Sequence, residues 1–343
     1  MIANKIKRFK KYNLNFKDSF SSICIIIIMF LIVSNPSHFS KGTVEGIKLF
    51  FFNVFPGLLP FMFLTKLLTE IGIVFKLSTK VDKISYKIFG TPGISFYALF
   101  MSIVSGYPIG AKIISDLYNK KMISSEDAKK MTIFCTTSGP IFVIGAVGNI
   151  MFGSQTIGII LYLSHIFSAI IMAITYNILT RKNAKHTQIY SKNCNFEPKC
   201  QNILAECVVQ TIDSILIVGA YITIFYLLIE VLTSLKITHF LNVILKKLFD
   251  LLGTNSSLSN GTIFGLFEIT RGCKELSSFK TIESISICAG LISFSGLSII
   301  FQSMAFLKDA KIKMHNFILT KTVHLIVSCF LCKLILICFG ATI

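Results

Sequence analysis

The sequence predicts an all-α polytopic membrane protein with two inverted repeats of about five helical elements each, broken or re-entrant helices, and one further span at the N-terminus. Three observations lead to this prediction. Of the 343 residues, 53% are hydrophobic and only 15% are charged, whereas soluble domains carry about 25% charged residues. Glycine and proline interrupt the long apolar runs. Landmarks of the first half of the chain also recur in the second half.

The charge of the chain is strongly basic, at +18 from 34 basic and 16 acidic residues. The lysines lie in short loops between apolar runs, which is typical of orientation in a membrane and of contact with anionic lipid. We therefore expect anionic lipid as a partner and no nucleic acid.

The ten cysteines predict neither a disulfide framework nor a metal site. Most lie in apolar runs, where cysteine behaves as a small hydrophobic residue. Cys194, Cys200 and Cys207 surround a polar loop with His186, but their spacing matches no zinc pattern. The sequence has no phosphate-binding Gly-x-x-x-x-Gly-Lys loop and no serine–base pair or paired acids. We expect no cofactor, no catalytic residue and no enzyme activity.

The chain divides into four parts. Residues 1–44 form a basic cytoplasmic tail and a first span, 45–180 a first repeat, 181–206 a cytoplasmic linker, and 207–343 a second repeat. The segments predicted to cross the membrane are 20–33, 45–73, 131–152, 157–179, 208–235, 282–307 and 317–339. Residues 89–117 and 258–276 are predicted to be re-entrant, and 74–87 and 236–252 to be amphipathic helices at the interface.

Two interruptions organise the first repeat, Ser105–Lys112 and Thr136–Pro140. Glycine costs about 1 kcal/mol inside a helix and proline about 3 kcal/mol. In a bilayer, such breaks persist only inside protein or along a watery cavity. A break of this kind indicates either a binding site or a packing glycine with a harmless kink.

The repeat is visible as pairs of landmarks in the same order. Internal duplication is common among transporters and places the binding site at the interface between the copies. If each glycine-rich segment returns to the side it came from, each half has three crossings and the second half is inverted. Most lysine loops then fall on one side, which we take as cytoplasmic together with the N-terminus. The paired landmarks are Gly57 and Gly219, Gly110 and Gly272, Gly90 and Gly253, and Gly139 and Gly296.

The segments Ser105–Lys112 and Cys135–Phe142 resemble the "nucleoside recognition", or Gate-domain, family of membrane proteins. The second copy, Glu268–Gly272 with Ser295–Leu297 and Gln302, is similar to the sporulation branch of that family. The family has asparagines before its Ser-Gly-Pro, where this chain has threonines.

The resemblance implies a spore-forming bacterium and a location in the membrane that surrounds the forespore. It also implies transport of dipicolinate, a small aromatic dianion, from the mother cell. The alternatives are a permease for nucleosides or other small solutes, and a structural membrane protein of spore formation that transports nothing. Other sporulation membrane proteins are expected partners.

The predicted substrate-binding residues lie at the breaks of both copies. Broken helices present free backbone N–H groups that attract a carboxylate. Lys112, Arg271 and Lys274 could neutralise an anion, or could instead extend to the interface. The full set is Gly106, Pro108, Gly110, Lys112, Thr137, Ser138, Gly139, Glu268, Thr270, Arg271, Gly272, Lys274, Ser295, Gly296 and Gln302.

Acidic and histidine residues in the apolar runs have two interpretations. Glu268 is predicted to be a counter-ion or proton carrier, or else to pair with Arg271 one helical turn away. Glu70 and Glu230 lie near span ends and are expected to be solvated. His165 and His324 could carry protons or could be hydrogen-bonded packing residues.

Overall fold

The computed structural model describes residues 16–180 and 202–338. Most of the basic tail, most of the polar linker and the His186, Cys194 and Cys200 part of the cysteine cluster therefore lie outside the described residues. All regular elements within these two ranges are helical, so the prediction of an all-α protein is confirmed.

The first half contains eight α-helices and two π-helical stretches. They are α1 (Phe16–Ser34), α2 (Pro36–Leu49), π1 (Phe50–Val54), α3 (Phe55–Ile71), α4 (Ile73–Ile88), α5 (Ile94–Ser105), α6 (Ile109–Asn119), α7 (Ser125–Phe134), π2 (Ile141–Met151) and α8 (Gln155–Thr180). Helix α7 begins at a capping box, which the Ser124 and Asp127 side chains form.

The second half contains seven α-helices in the described residues. They are α9 (Ile203–Ser234), α10 (Ile237–Leu251), α11 (Ser259–Phe267), α12 (Ile269–Leu276), α13 (Ile282–Phe294), α14 (Gly296–Leu307) and α15 (Met314–Cys338). The predicted interfacial helices 74–87 and 236–252 correspond to α4 and α10, so their helical state is confirmed.

The predicted breaks are confirmed as interruptions of the helices. Gly106, with a φ of 82°, ends α5 ahead of a cis peptide bond between Tyr107 and Pro108. Residues 135–140 separate α7 from π2. Glu268, in an extended conformation, separates α11 from α12, and Ser295, with a φ of 73°, separates α13 from α14.

The order of elements occurs twice along the chain. A broken pair (α5–α6 or α11–α12) precedes a second broken pair (α7–π2 or α13–α14) and then one long helix (α8 or α15). Helix α15 packs along both α13 and α8. The two halves are thus joined through the helices that follow the breaks, and their relative inversion stays a prediction.

The helices long and apolar enough to cross a membrane are fewer than the seven predicted crossings. By length and composition, four qualify in the described residues: α8, α9, α13 with α14, and α15. A fifth results if α1 and α2, which are bent by 105°, form one broken span. Segments 45–73 and 131–152 each divide into shorter pieces, because π1 changes the helical hydrogen bonding and residues 135–140 are non-helical.

Candidate functional site

A cavity of about 590 Å³ lies where the breaks of the two halves meet. One side, which we call the apolar wall, consists of residues from α2, π1, α3 and α9. The other side, which we call the polar wall, consists of the breaks together with π2 and α14. The polar wall contributes the polar residues Ser105, Tyr107, Ser138, Asn149, Glu268, Thr270, Ser298 and Gln302. A volume of this size is typical of sites for small molecules.

Backbone contact between two breaks builds the first part of the polar wall. A methyl group on Gly106 would clash with the backbone nitrogen of Gly139, and the φ of Gly106 favours glycine in any case. Thr137 is fully buried behind this contact, and its N–H donates to the Ser102 hydroxyl at 3.0 Å. The glycines therefore let two chain segments meet at the cavity, and Gly106, Ser138 and Gly139 line it.

Glu268 builds the second part of the polar wall as the N-cap of α12. Its carboxylate accepts hydrogen bonds from the N–H groups of Thr270, at 3.1 Å, and Arg271, at 2.9 Å. The side chain is 5% exposed and lines the cavity. The expectation that this helix start offers free N–H groups to a substrate is therefore wrong for these two groups, because the protein's own carboxylate occupies them.

The Arg271 side chain pairs with Glu230 rather than with Glu268. Its Nη1 lies 3.0 Å from the Glu230 carboxylate, and its guanidinium lies 4.1 Å from the centre of the Phe264 ring. Glu230 also lies 3.4 Å from His38. The predicted pairing of Glu268 with the Arg271 side chain, and the predicted solvation of Glu230, are both wrong, since a residue 41 positions away is the partner.

Lys112 lines a separate small pocket between α3, α6 and α9. Its Nζ lies 3.5 Å from Asp116 and 5.6 Å from the centre of the Phe306 ring. In the same cluster Glu70 binds Lys66 at 3.1 Å and Lys120 at 2.9 Å. Glu70 is therefore an ion-pair partner rather than a solvated end residue.

The remaining predicted residues differ in their relation to the cavity. Thr270 and Gln302 line it, and the Gln302 amide also donates to Ser298 at 3.2 Å. Lys274 is exposed. The residues Pro108, Gly110, Gly272, Ser295 and Gly296 do not line the cavity but shape the breaks behind it. A substrate role for any of these residues stays a prediction.

Sequence reasoning missed the most deeply buried charged side chain behind the polar wall, Lys321. It is 1% exposed and donates from Nζ to the Thr136 carbonyl at 2.5 Å, with the Tyr107 ring centre 5.0 Å away. His324, on the same helix, stacks on His165 with ring centres 4.9 Å apart. Lys321 and His324 are three residues apart in an apolar run, and that spacing places them on one helix face. This spacing was the available signal.

Comparison with known proteins gives one informative relative. Over 308 residues the chain is 26% identical to "Sporulation integral membrane protein YlbJ" of Bacillus subtilis (strain 168), which covers 84% of this chain and 76% of that protein. No model of a known protein family matches the chain, and no solved structure matches it. The predicted resemblance to a sporulation membrane protein is confirmed. The wider resemblance to the Gate-domain family stays a prediction.

Proposed function

We propose that this multi-pass membrane protein is a transporter needed for sporulation, which moves a small solute across the membrane around the forespore. Dipicolinate is our first candidate for that solute. The observation that carries the proposal is the cavity at the meeting point of the helix breaks. Non-helical backbone at membrane depth persists where it lines a cavity or is buried in protein, and transporters bind their substrates at discontinuous helices.

The charges around the cavity set a condition on the substrate. Lys112, Arg271 and Lys274 are not among the lining residues, whereas Glu268 is. A buried cationic group adjacent to the cavity is Lys321, which lies behind Tyr107. Binding of a dianion therefore requires a positive charge on Lys321 that offsets the negative charge of Glu268. This arrangement and the family resemblance support dipicolinate as the solute.

A neutral polar solute, such as a nucleoside, is the second candidate. The polar wall offers hydroxyl and amide groups from Ser138, Thr270, Ser298, Asn149 and Gln302. Such groups bind sugar hydroxyls and base edges through hydrogen bonds without needing a countercharge. This neutral lining is the observation that favours the second candidate.

Uptake into liposomes distinguishes the two candidates. Purified protein is reconstituted, and labelled dipicolinate and labelled uridine are supplied separately, with protein-free liposomes as the background. We expect saturable dipicolinate uptake that excess uridine does not inhibit. The reverse result assigns the neutral solute. Absence of flux for both, with misassembled spores in a deletion strain, would favour a structural role.

Glu268 tests whether the cavity is the route of the solute. We expect Glu268→Gln to change dipicolinate flux at least fivefold at unchanged membrane abundance, because the carboxylate lines the cavity. Glu283→Gln is the matched control: Glu283 also lies in the first turn of a helix and is not among the lining residues. Equal effects of both changes would place the route elsewhere.

The predicted inverted arrangement has its own test. Cysteine labelling of intact cells and inverted vesicles compares a cysteine placed at Lys121 with the native Cys194 in a chain that lacks its other cysteines. We expect both to react only from the cytoplasmic side. Labelling from opposite sides would exclude the inverted repeats.

A further inference from the structure

Lys321 lies in an environment that disfavours a permanent charge. It is fully buried in α15, and its ammonium group, which has three N–H donors, meets the Thr136 carbonyl and the faces of the Tyr107 and Phe317 rings. Within residues 16–180 and 202–338, no carboxylate lies within 4 Å of the Lys321 Nζ. A lysine buried in a membrane segment without an acidic partner is costly when charged and is usually functional.

His165 is held neutral by its hydrogen bonds. The backbone N–H of Ser138 can only donate, so the His165 Nε2, at 2.8 Å, must accept. The proton of the ring then lies on Nδ1 and is shared with the Ser293 hydroxyl, also at 2.8 Å. A proton added at Nε2 would replace the acceptor by a donor and break the bond to Ser138.

His324 completes a cluster of three basic groups. Its Nε2 donates to the His165 carbonyl at 3.0 Å, and its ring stacks on the His165 ring. Two groups from the neighbouring elements face the cluster: the Tyr107 hydroxyl, which donates to the Ile292 carbonyl at 2.6 Å, and the Ser293 hydroxyl. Two positive charges at such short separation repel strongly in a low-dielectric interior. The cluster therefore accommodates one proton at a time.

The cluster touches the polar wall at two points. Ser138, bonded to His165, and Tyr107, whose ring covers Lys321, both line the cavity. A positive charge on the cluster therefore lies one side chain away from a bound solute and attracts an anion. Loss of that charge removes the attraction, and a proton on the His165 Nε2 would break its hydrogen bond to the Ser138 N–H in the polar wall.

We propose that Lys321, His324 and His165 form a proton-binding site that couples proton movement to the passage of an anionic solute in the same direction. This inference rests on the proposed transport function and adds the driving ion to it. The cluster carries one proton when the solute is bound and releases that proton on the side where the solute leaves.

Proton coupling is measured in liposomes that contain a pH-sensitive dye, and labelled dipicolinate is supplied in the external solution. Valinomycin with equal potassium concentrations holds the membrane potential at zero. If one proton moves with each solute, a gradient of one pH unit, alkaline inside, should give about tenfold accumulation of dipicolinate. At zero membrane potential the ratio of internal to external solute cannot exceed the tenfold ratio of proton concentrations. The dye should report acidification with each uptake. Flux without accumulation or acidification would overturn the coupling.

Three variants separate coupling from folding. Lys321→Met should lose accumulation and also bind dipicolinate more weakly, because the charge that attracts the anion is gone. Lys321→Arg keeps a charge that it cannot release, so it should also lose accumulation but bind dipicolinate with an affinity within threefold of the wild type. Lys333→Met is the matched control, since Lys333 is exposed on the same helix, and it should accumulate normally. Normal accumulation by Lys321→Met would refute the proposal.

A solute-free measurement keeps the site testable if neither dipicolinate nor uridine moves. The melting temperatures of the wild type and Lys321→Met are compared between pH 5 and pH 9. If the cluster exchanges a proton, their difference changes with pH in this interval, because proton binding is linked to stability. A constant difference would overturn the proton site. A varying difference without any flux would leave the site standing and reject the transport function.

Discussion

Removal of the Glu268 carboxylate should destabilise α12 by an amount that the hydrogen bonds at its start predict. The carboxylate accepts from two backbone N–H groups at 3.1 and 2.9 Å and is nearly buried. Loss of an N-cap costs about 0.5–2 kcal/mol, and hydrogen bonds to charged groups contribute about 1.5–3 kcal/mol. Glutamine keeps one accepting oxygen but loses the charge, so we expect a loss of about 1–2 kcal/mol. Alanine leaves both N–H groups unpaired and should cost about 2–4 kcal/mol.

Thermal unfolding in detergent measures the relative stability of the wild type and the two variants. It is followed by the fraction of monodisperse protein that remains after heating. At about 2 °C per kcal/mol for a large chain, Glu268→Gln should melt about 2–4 °C lower and Glu268→Ala about 4–8 °C lower. Glu283→Gln is the control, because Thr281 and Ser284 cap that helix instead. Its melting temperature should fall by less than about 2 °C, since only the interaction with the helix dipole is lost. If Glu268→Gln and Glu283→Gln were equally stable, the capping bonds would not hold α12 in place.

Two further predictions concern the helices around the cavity. Gly219→Ala places a methyl group 2.6 Å from the Phe50 ring and should destabilise the protein by about 1–3 kcal/mol. The added methyl group of Gly57→Ala meets no atom within 4 Å, so this variant should be as stable as the wild type or gain up to about 1 kcal/mol from helix propensity. Comparable melting temperatures for these two variants would show that the ring moves aside freely. A double-mutant cycle of Glu230→Gln and Arg271→Gln should give a coupling of about 1 kcal/mol, reduced in 1 M salt by screening. Additive effects of the two changes would mean that the ion pair contributes nothing.

The positions of the breaks could be predicted from the sequence because their causes are local. Gly106 requires a positive φ, and Pro108 cannot continue the hydrogen bonding of a helix. The start of α7 was equally accessible, since a serine followed three residues later by an acid is a capping pattern. The capping role of Glu268 could also have been predicted, because an acid directly before a helix start accepts hydrogen bonds from the first N–H groups.

The direction of the charged side chains could not be predicted, because their partners are distant in sequence. Arg271 reaches Glu230, 41 residues away, and Lys66 reaches Asp116, 50 residues away. Helical periodicity places Lys112 on a face but does not say whether a cavity or a carboxylate covers that face. The sequence therefore located the helix breaks along the chain and Glu268 beside one of them, but it did not identify the ion-pair partners of the charged side chains.

The helices around the cavity are joined by two kinds of contact, close packing and ion pairs. The two kinds differ in how easily they can separate when the cavity opens. Within the apolar wall, α2 lies so close to α9 that a methyl group on Gly46 would come within 2.9 Å of the Thr223 backbone. Charged contacts join α9 to α12 through Glu230 and Arg271, and α3 to the residue after α6 through Glu70 and Lys120. The Glu70 pair lies within the first half of the chain and the Glu230–Arg271 pair within the second. Movement of α9 away from α12 would thus break a reversible ionic contact, while the tightly fitted α2–α9 unit moves as one body.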